Sequence, residues 1–163
     1  MAEEAVARHL WQQYVEQDQA LGRTHAALLH SGIDLTPILA EAIRDPSQRP
    51  TALQFLLPND GHSERYRQRL LRELVHEAAI GDWDLSLILV RQIILAMDRD
   101  WLRAHIGTVV TEILDSEEVS YWEYRRLAEL LERVDHDVLD RLLDRAAASQ
   151  DADIREVAED YRS

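Results

Sequence analysis

Seven histidines and 31 carboxylates are the side chains here that could hold a metal or move a proton, so their spacing is the first test of chemistry. No histidine falls in an HExxH pattern or in a helix-spaced pair backed by a carboxylate. His25 and His30 are five residues apart, which on a helix turns them about 140° away from each other. His105 follows Trp101 and Leu102 near the apolar face of its helix, the setting of a hydrogen-bonded core histidine. Acids come in pairs, Asp82 with Asp84 and Asp151 with Asp153. A catalytic acid or base needs a dry, enclosed place that shifts its pKa toward working pH. These pairs stand in turns before helices, where aspartate oxygens accept from free N–H groups and oppose the positive end of the helix dipole. The chain has no cysteine, which excludes disulfides, thiolate zinc sites and a cysteine nucleophile. The residues point to a non-enzymatic protein with no catalytic residue, no metal and no other cofactor.

Binding is better represented than catalysis. Arg65, Arg69, Arg72 and His76 fall within about 60° of one another on a helix predicted over 63–80, opposite Leu70, Leu74 and Ala78. In an acidic protein such a stripe could receive a phosphate, a nucleic-acid backbone, an acidic peptide or the acidic third of a second subunit, which leaves a homodimer open. Against this, Glu73 and Glu77 flank the stripe, and Arg69 with Glu73 is an ordinary i, i+4 pair. Tyr121, Trp122 and Tyr124 crowd the start of one helix. One helix face can take Tyr124 inward but cannot hide all three, so Tyr121 or Trp122 meets a neighbouring repeat or a partner.

Charge points the same way. Residues 1–61 hold 8 acids and 4 arginines, 62–111 hold 7 and 7, and 112–163 hold 16 and 7, for a net charge of −13. An acidic C-terminal third disfavours nucleic acid there, because phosphate contacts depend on cations, and favours a basic protein partner. The expected contact residues are Asp115, Glu117, Glu118, Tyr121, Trp122, Asp137, Asp140 and Asp144, with Arg65, Arg69, Arg72 and His76 as the alternative, anion-binding set. All 18 basic residues are arginine, which fits a coding bias toward GC. An acidic N-terminus and the absence of a long apolar run predict a cytoplasmic protein with no membrane contact.

The elements that must position these residues are helical. One Phe, five Gly, four Pro and 46% hydrophobic residues suit helices and starve strands. Ala7, Leu10, Trp11, Tyr14 and Leu21 line one side of a helix over 3–21, predicting an end cap with one buried face. A short helix near 24–30 should stop at Ser31-Gly32, with glycine in the left-handed closing position. Thr36 as N-cap and Pro37 in the first turn open a helix over 36–44. Prolines 46 and 50 then set a turn before 51–57, and Pro58-Asn59-Asp60-Gly61 is the strongest breaker. It separates an irregular N-terminal cap, 1–61, from regular helical hairpins, 62–163, within a single domain. Helix 84–97 is apolar nearly all round and should be the most buried or half of a dimer interface. Ser120 and Glu123 form a capping-box pattern ahead of helix 120–134.

Three acidic turns closed by an aliphatic residue, Asp82-Trp83-Asp84-Leu85, Ser116-Glu117-Glu118-Val119 and Asp151-Ala152-Asp153-Ile154, start about 34 residues apart, the period of stacked helical hairpins. The segment Asp151-Ala152-Asp153-Ile154-Arg155-Glu156-Val157-Ala158 resembles the second-helix entry of HEAT-type repeats, an acidic turn followed by aliphatic-Arg-x-x-Ala. The other two turns share the aliphatic position but carry Ser86 and Ser120 after it. The resemblance spans about 70–163 and implies an all-α fold, a short right-handed α-solenoid of eight or nine helices. It also implies a protein-binding scaffold, since such repeats serve as scaffolds and a few bind nucleic acid or act on DNA bases. The period also suits tetratricopeptide repeats, whose glycine and aromatic pattern is not found. The expected function is a protein-binding adaptor with an acidic C-terminal surface. An immunity protein or inhibitor that neutralises a basic toxin or nuclease, by nucleic-acid mimicry in one version, and a phosphate or nucleic-acid binder stand as alternatives.

Overall fold

The computed structural model describes residues 2–58, 63–81, 85–116 and 119–162. The Asn59-Asp60-Gly61 breaker, the Asp82-Trp83-Asp84 turn, and Glu117 and Glu118 lie outside the described residues. Within them the fold is all-helical, with no strand: α1 (Ala2–His30), α2 (Thr36–Arg44), α3 (Arg49–Leu56), α4 (Glu64–Arg69), α5 (Leu71–Ile80), α6 (Leu85–Leu95), α7 (Arg99–Ser116), α8 (Tyr121–Val134), α9 (His136–Ala147) and α10 (Ala152–Arg162). Ten helices replace the eight or nine expected. The two N-terminal pieces merge into one, and the helix over 63–80 divides at Leu70. Among the described residues no helix is long and apolar enough to cross a membrane. The chain falls into two units, Met1–Asp34 and Leu35–Ser163.

The first unit is α1, continuous through Gly22 where a break was expected. A lone mid-helix glycine costs about 1 kcal/mol but keeps its N–H donor, so it weakens a helix without ending it. The stop comes at Ser31 and Gly32, whose φ of +73° is the left-handed position that side-chain-bearing residues resist. The expected buried face is corrected: Leu10, Trp11, Tyr14 and Leu21 are all exposed, Trp11 by 66%. Trp11 and Tyr14 stack on each other at 5.6 Å. Periodicity assigns side chains to a common face, but burial requires a neighbour to cover it.

The second unit is built around α5, which packs against α2, α4, α6, α7 and α8. Leu74, Val75 and Ala79 on α5 have no exposed surface, and neither does Leu70 just before it. α2 and α3 lie on α5 and α6, so residues before and after 58–61 share one core. α8 carries the next apolar face, Tyr124, Leu127, Ala128, Leu131 and Val134, and is covered by α9 and α10. α6 is not the most buried helix. Val90, Ile93 and Ile94 face α3 and α5, while Leu85 and Ile88 are 65% and 58% exposed. A helix apolar all round can bury only the sides that its neighbours cover, and α5 and α8 took the central places. Thr36 is not the N-cap of α2 either: that place falls to Leu35, with Pro37 inside the first turn, where a missing N–H costs nothing.

Arginines close helix C-termini throughout this unit. Arg49 Nε donates to the Ile43 carbonyl at the end of α2 (2.8 Å), and Arg67 to that of Leu56 ending α3 (3.3 Å). Arg126 Nη1 donates to Ala79 and Gly81 at the end of α5 (3.0 and 2.5 Å). Arg145 reaches Leu114 on α7 (2.6 Å) and Arg103 reaches Val134 on α8 (3.1 Å). The last carbonyls of a helix have no intrahelical partner and carry the negative end of the dipole, so a cation there is doubly favourable. The guanidinium fork also serves a carboxylate at the same time. Arg49 pairs with Glu77 (3.0 Å) and Arg145 with Asp115 (2.5 Å). These contacts give the arginines a structural use beyond composition.

Candidate interaction surfaces

The start of α8 sets the aromatic residues. Ser120 donates its backbone N–H to Glu123 Oε2 at 2.7 Å and its hydroxyl to the same oxygen, closing the capping box. Burial pushes the Glu123 carboxyl up, but the hydroxyl and N–H of Ser120, its own backbone N–H and Arg126 outweigh it and hold the group below its usual range. Tyr121, the first residue of α8, is half-buried. Its hydroxyl accepts from Arg125 at 2.6 Å, and its ring meets that of Trp122 edge-on at 5.0 Å. Arg125 in turn binds Asp160 of α10 at 2.8 Å. Trp122 remains 54% exposed.

The rest of the predicted acidic set is dispersed. Asp115 ends on Arg145, and Asp144 on Arg162. Asp137 and Asp140 are exposed on α9. α8 separates Trp122, at its start, from Asp137, just beyond its end, by about 20 Å of helix rise. Asp137 and Asp140 are therefore set apart from the aromatics.

Sequence reasoning missed the exposed apolar residues at the start of α6. Arg126 of α8 reaches Gly81, ahead of α6, and Arg91 of α6 reaches Glu129 at 2.6 Å, one turn further along α8. The first turns of these two helices leave Leu85, Ile88 and Trp122 each more than half exposed. The signal was present in the nearly all-round apolar character of residues 85–97, which exceeds what a core can cover.

The basic stripe is redistributed as well. Arg65 lies over the Tyr66 ring, 4.6 Å from its centroid, and donates to its hydroxyl at 2.7 Å. Arg69 is exposed at the end of α4, and the division at Leu70 parts it from Arg72 and His76. Half-buried His76 and Arg72 share a cavity of about 280 Å³ with Arg44, Arg49, Glu73 and Glu77. Arg72 also faces a larger groove of about 770 Å³ together with Arg103 and Arg141, neither of which the stripe contained. His105 is exposed rather than in the core. It stacks on Trp101 at 4.2 Å and donates Nδ1–H to the Trp101 carbonyl at 2.7 Å.

No family model matches the chain, and neither does any curated protein or solved structure.

Proposed function

We propose that the chain is a non-enzymatic protein-binding module of HEAT-like stacked helices, and that its anchor is the exposed set Leu85, Ile88 and Trp122. One observation carries this reading: three large apolar side chains in the first turns of α6 and α8 are each more than half exposed. Exposed apolar surface of this kind marks interaction sites, and tryptophan is the residue most enriched where binding energy concentrates. The packing of α6 on α8 and of α8 on α10 supports a stacked arrangement. The exposed acids of α9, Asp137 and Asp140, which make no ion pair among the described residues, supply a field that draws in a basic partner, such as a cationic toxin or nuclease, before the apolar side chains are covered.

The test is capture and titration of a partner by the full chain and by Trp122→Ala and Asp137→Arg/Asp140→Arg variants. Trp122→Ala should weaken binding about 30-fold or more, as a hot-spot truncation of 2 kcal/mol or above does. It should leave thermal unfolding unchanged, because the side chain is exposed. The double charge reversal should slow association and flatten its salt dependence. A partner that binds all three proteins with equal affinity and equal salt dependence would refute the proposal.

A further inference from the structure

The groove of about 770 Å³ has a floor made by one side of α7, where Arg103, Gly107, Thr108, Glu112 and Asp115 recur at helical spacing over about 18 Å. Arg72 rises from α5 on one side and Arg141 from α9 on the other. The three guanidiniums are not equally committed. Arg103 uses Nε on the Val134 carbonyl, which leaves its two terminal nitrogens for the groove. Arg72 stands 3.7 Å from Glu112, inside ion-pair range but beyond a hydrogen bond. Arg141 makes no hydrogen bond or ion pair among the described residues. Of the two acids at the groove, Asp115 is held by Arg145 at 2.5 Å. Gly107 sets the depth. A Cβ there would come within 3.2 Å of Arg141 Nη2 and 3.3 Å of Val138 Cγ2, so Arg141 lies close against the α7 backbone at this glycine.

We propose that this groove binds the phosphoryl group of a small ligand through Arg72, Arg103 and Arg141. The site is distinct from the exposed apolar residues of α6 and α8 and does not depend on that surface binding protein. Three cations that line one groove without enough local acid to neutralise them call for an anion with several acceptor oxygens. A tetrahedral phosphoryl group can accept from all three forks, whereas a single carboxylate is saturated by one bidentate arginine. The exposed Thr108 hydroxyl and the Glu112 carboxylate beside them can hold a hydroxyl or amine on the remainder of the ligand. A nucleic-acid strand fits less well. Its charge extends well beyond the three cations, over a protein with a net charge of −13.

The experiment titrates the full chain at low ionic strength with inorganic phosphate, pyrophosphate and a short single-stranded oligonucleotide, read by calorimetry and by amide chemical shifts. Pyrophosphate should bind saturably and more tightly than phosphate, with shifts along α7 and at the Arg72 and Arg141 positions. The Arg72→Gln/Arg141→Gln variant should lose at least tenfold in affinity at an unchanged melting temperature, because neither side chain closes a helix. Arg65→Gln, on the Tyr66 ring, should bind as the wild type does. The assignment is overturned by no saturable binding of pyrophosphate at millimolar concentration, or by equal affinity in the double variant. An oligonucleotide that binds more tightly than pyrophosphate would also overturn it, in favour of a nucleic-acid surface.

Discussion

Arg126 and Arg141 separate the two uses this chain makes of arginine. Arg126 is 5% exposed and one of its nitrogens holds the carbonyls of both Ala79 and Gly81, tying α8 to the end of the central helix. Arg126→Met keeps most of the apolar stem and removes only the charged head. Each hydrogen bond from a charged donor is worth about 1.5–3 kcal/mol, and leaving a buried carbonyl unmet costs about the same. Partial exposure of the Gly81 oxygen lets water recover some of this, which leaves a net loss of about 3 kcal/mol. For a chain of this size that is about 10 °C in melting temperature, or about 1.5 M in urea midpoint at a slope near 2 kcal/mol/M. Arg141→Met removes a guanidinium with no partner among the described residues and should change stability by less than about 0.5 kcal/mol. Urea titration followed by helical circular dichroism reads both. The reasoning fails if Arg126→Met unfolds within about 0.5 kcal/mol of the wild type, or if Arg141→Met costs as much as Arg126→Met.

Two further outcomes follow from local geometry. The folded-state pKa of Glu123 lies below the ordinary glutamate value of 4.5, so its carboxylate contributes stability that is present above that value and lost as pH falls through the lower, folded one. Glu123→Gln should therefore lower stability at pH 7 and reduce the fall in stability between about pH 5 and pH 3, as measured by urea midpoints across that range. At Gly81 a Cβ would sit 2.3 Å from Glu77 Oε1 and 2.4 Å from the Glu77 carbonyl oxygen. Glu77 is itself buried and paired with Arg49, so Gly81→Ala should cost about 1–3 kcal/mol by calorimetric unfolding, and a neutral result would show that this turn can shift.

What the sequence could settle was decided by contacts within a few residues. The 3.6-residue period, the scarcity of strand formers and the Ser120–Glu123 box are local, and the helices and the start of α8 follow from them. The stop at Ser31-Gly32 is equally local, because it depends on one residue's backbone freedom. That Tyr121 or Trp122 must lie outside the core was legible for a similar reason, since three aromatics in four positions cannot share one face, and Trp122 is the exposed one.

The destinations of long side chains were settled only in three dimensions. Arg65, Arg69, Arg72 and His76 share a direction on an ideal helix, yet the helix divides at Leu70, Arg65 lies over the Tyr66 ring, and Arg72 with His76 lines a cavity. Arg72, Arg103 and Arg141 lie more than 30 residues apart in sequence, and nothing in their spacing foretells that α5, α7 and α9 bring them to one groove. The same limit explains α6. An apolar stripe states that burial would be favourable, but coverage depends on which neighbours arrive, and a finite core has places for only some of the faces that could fill it.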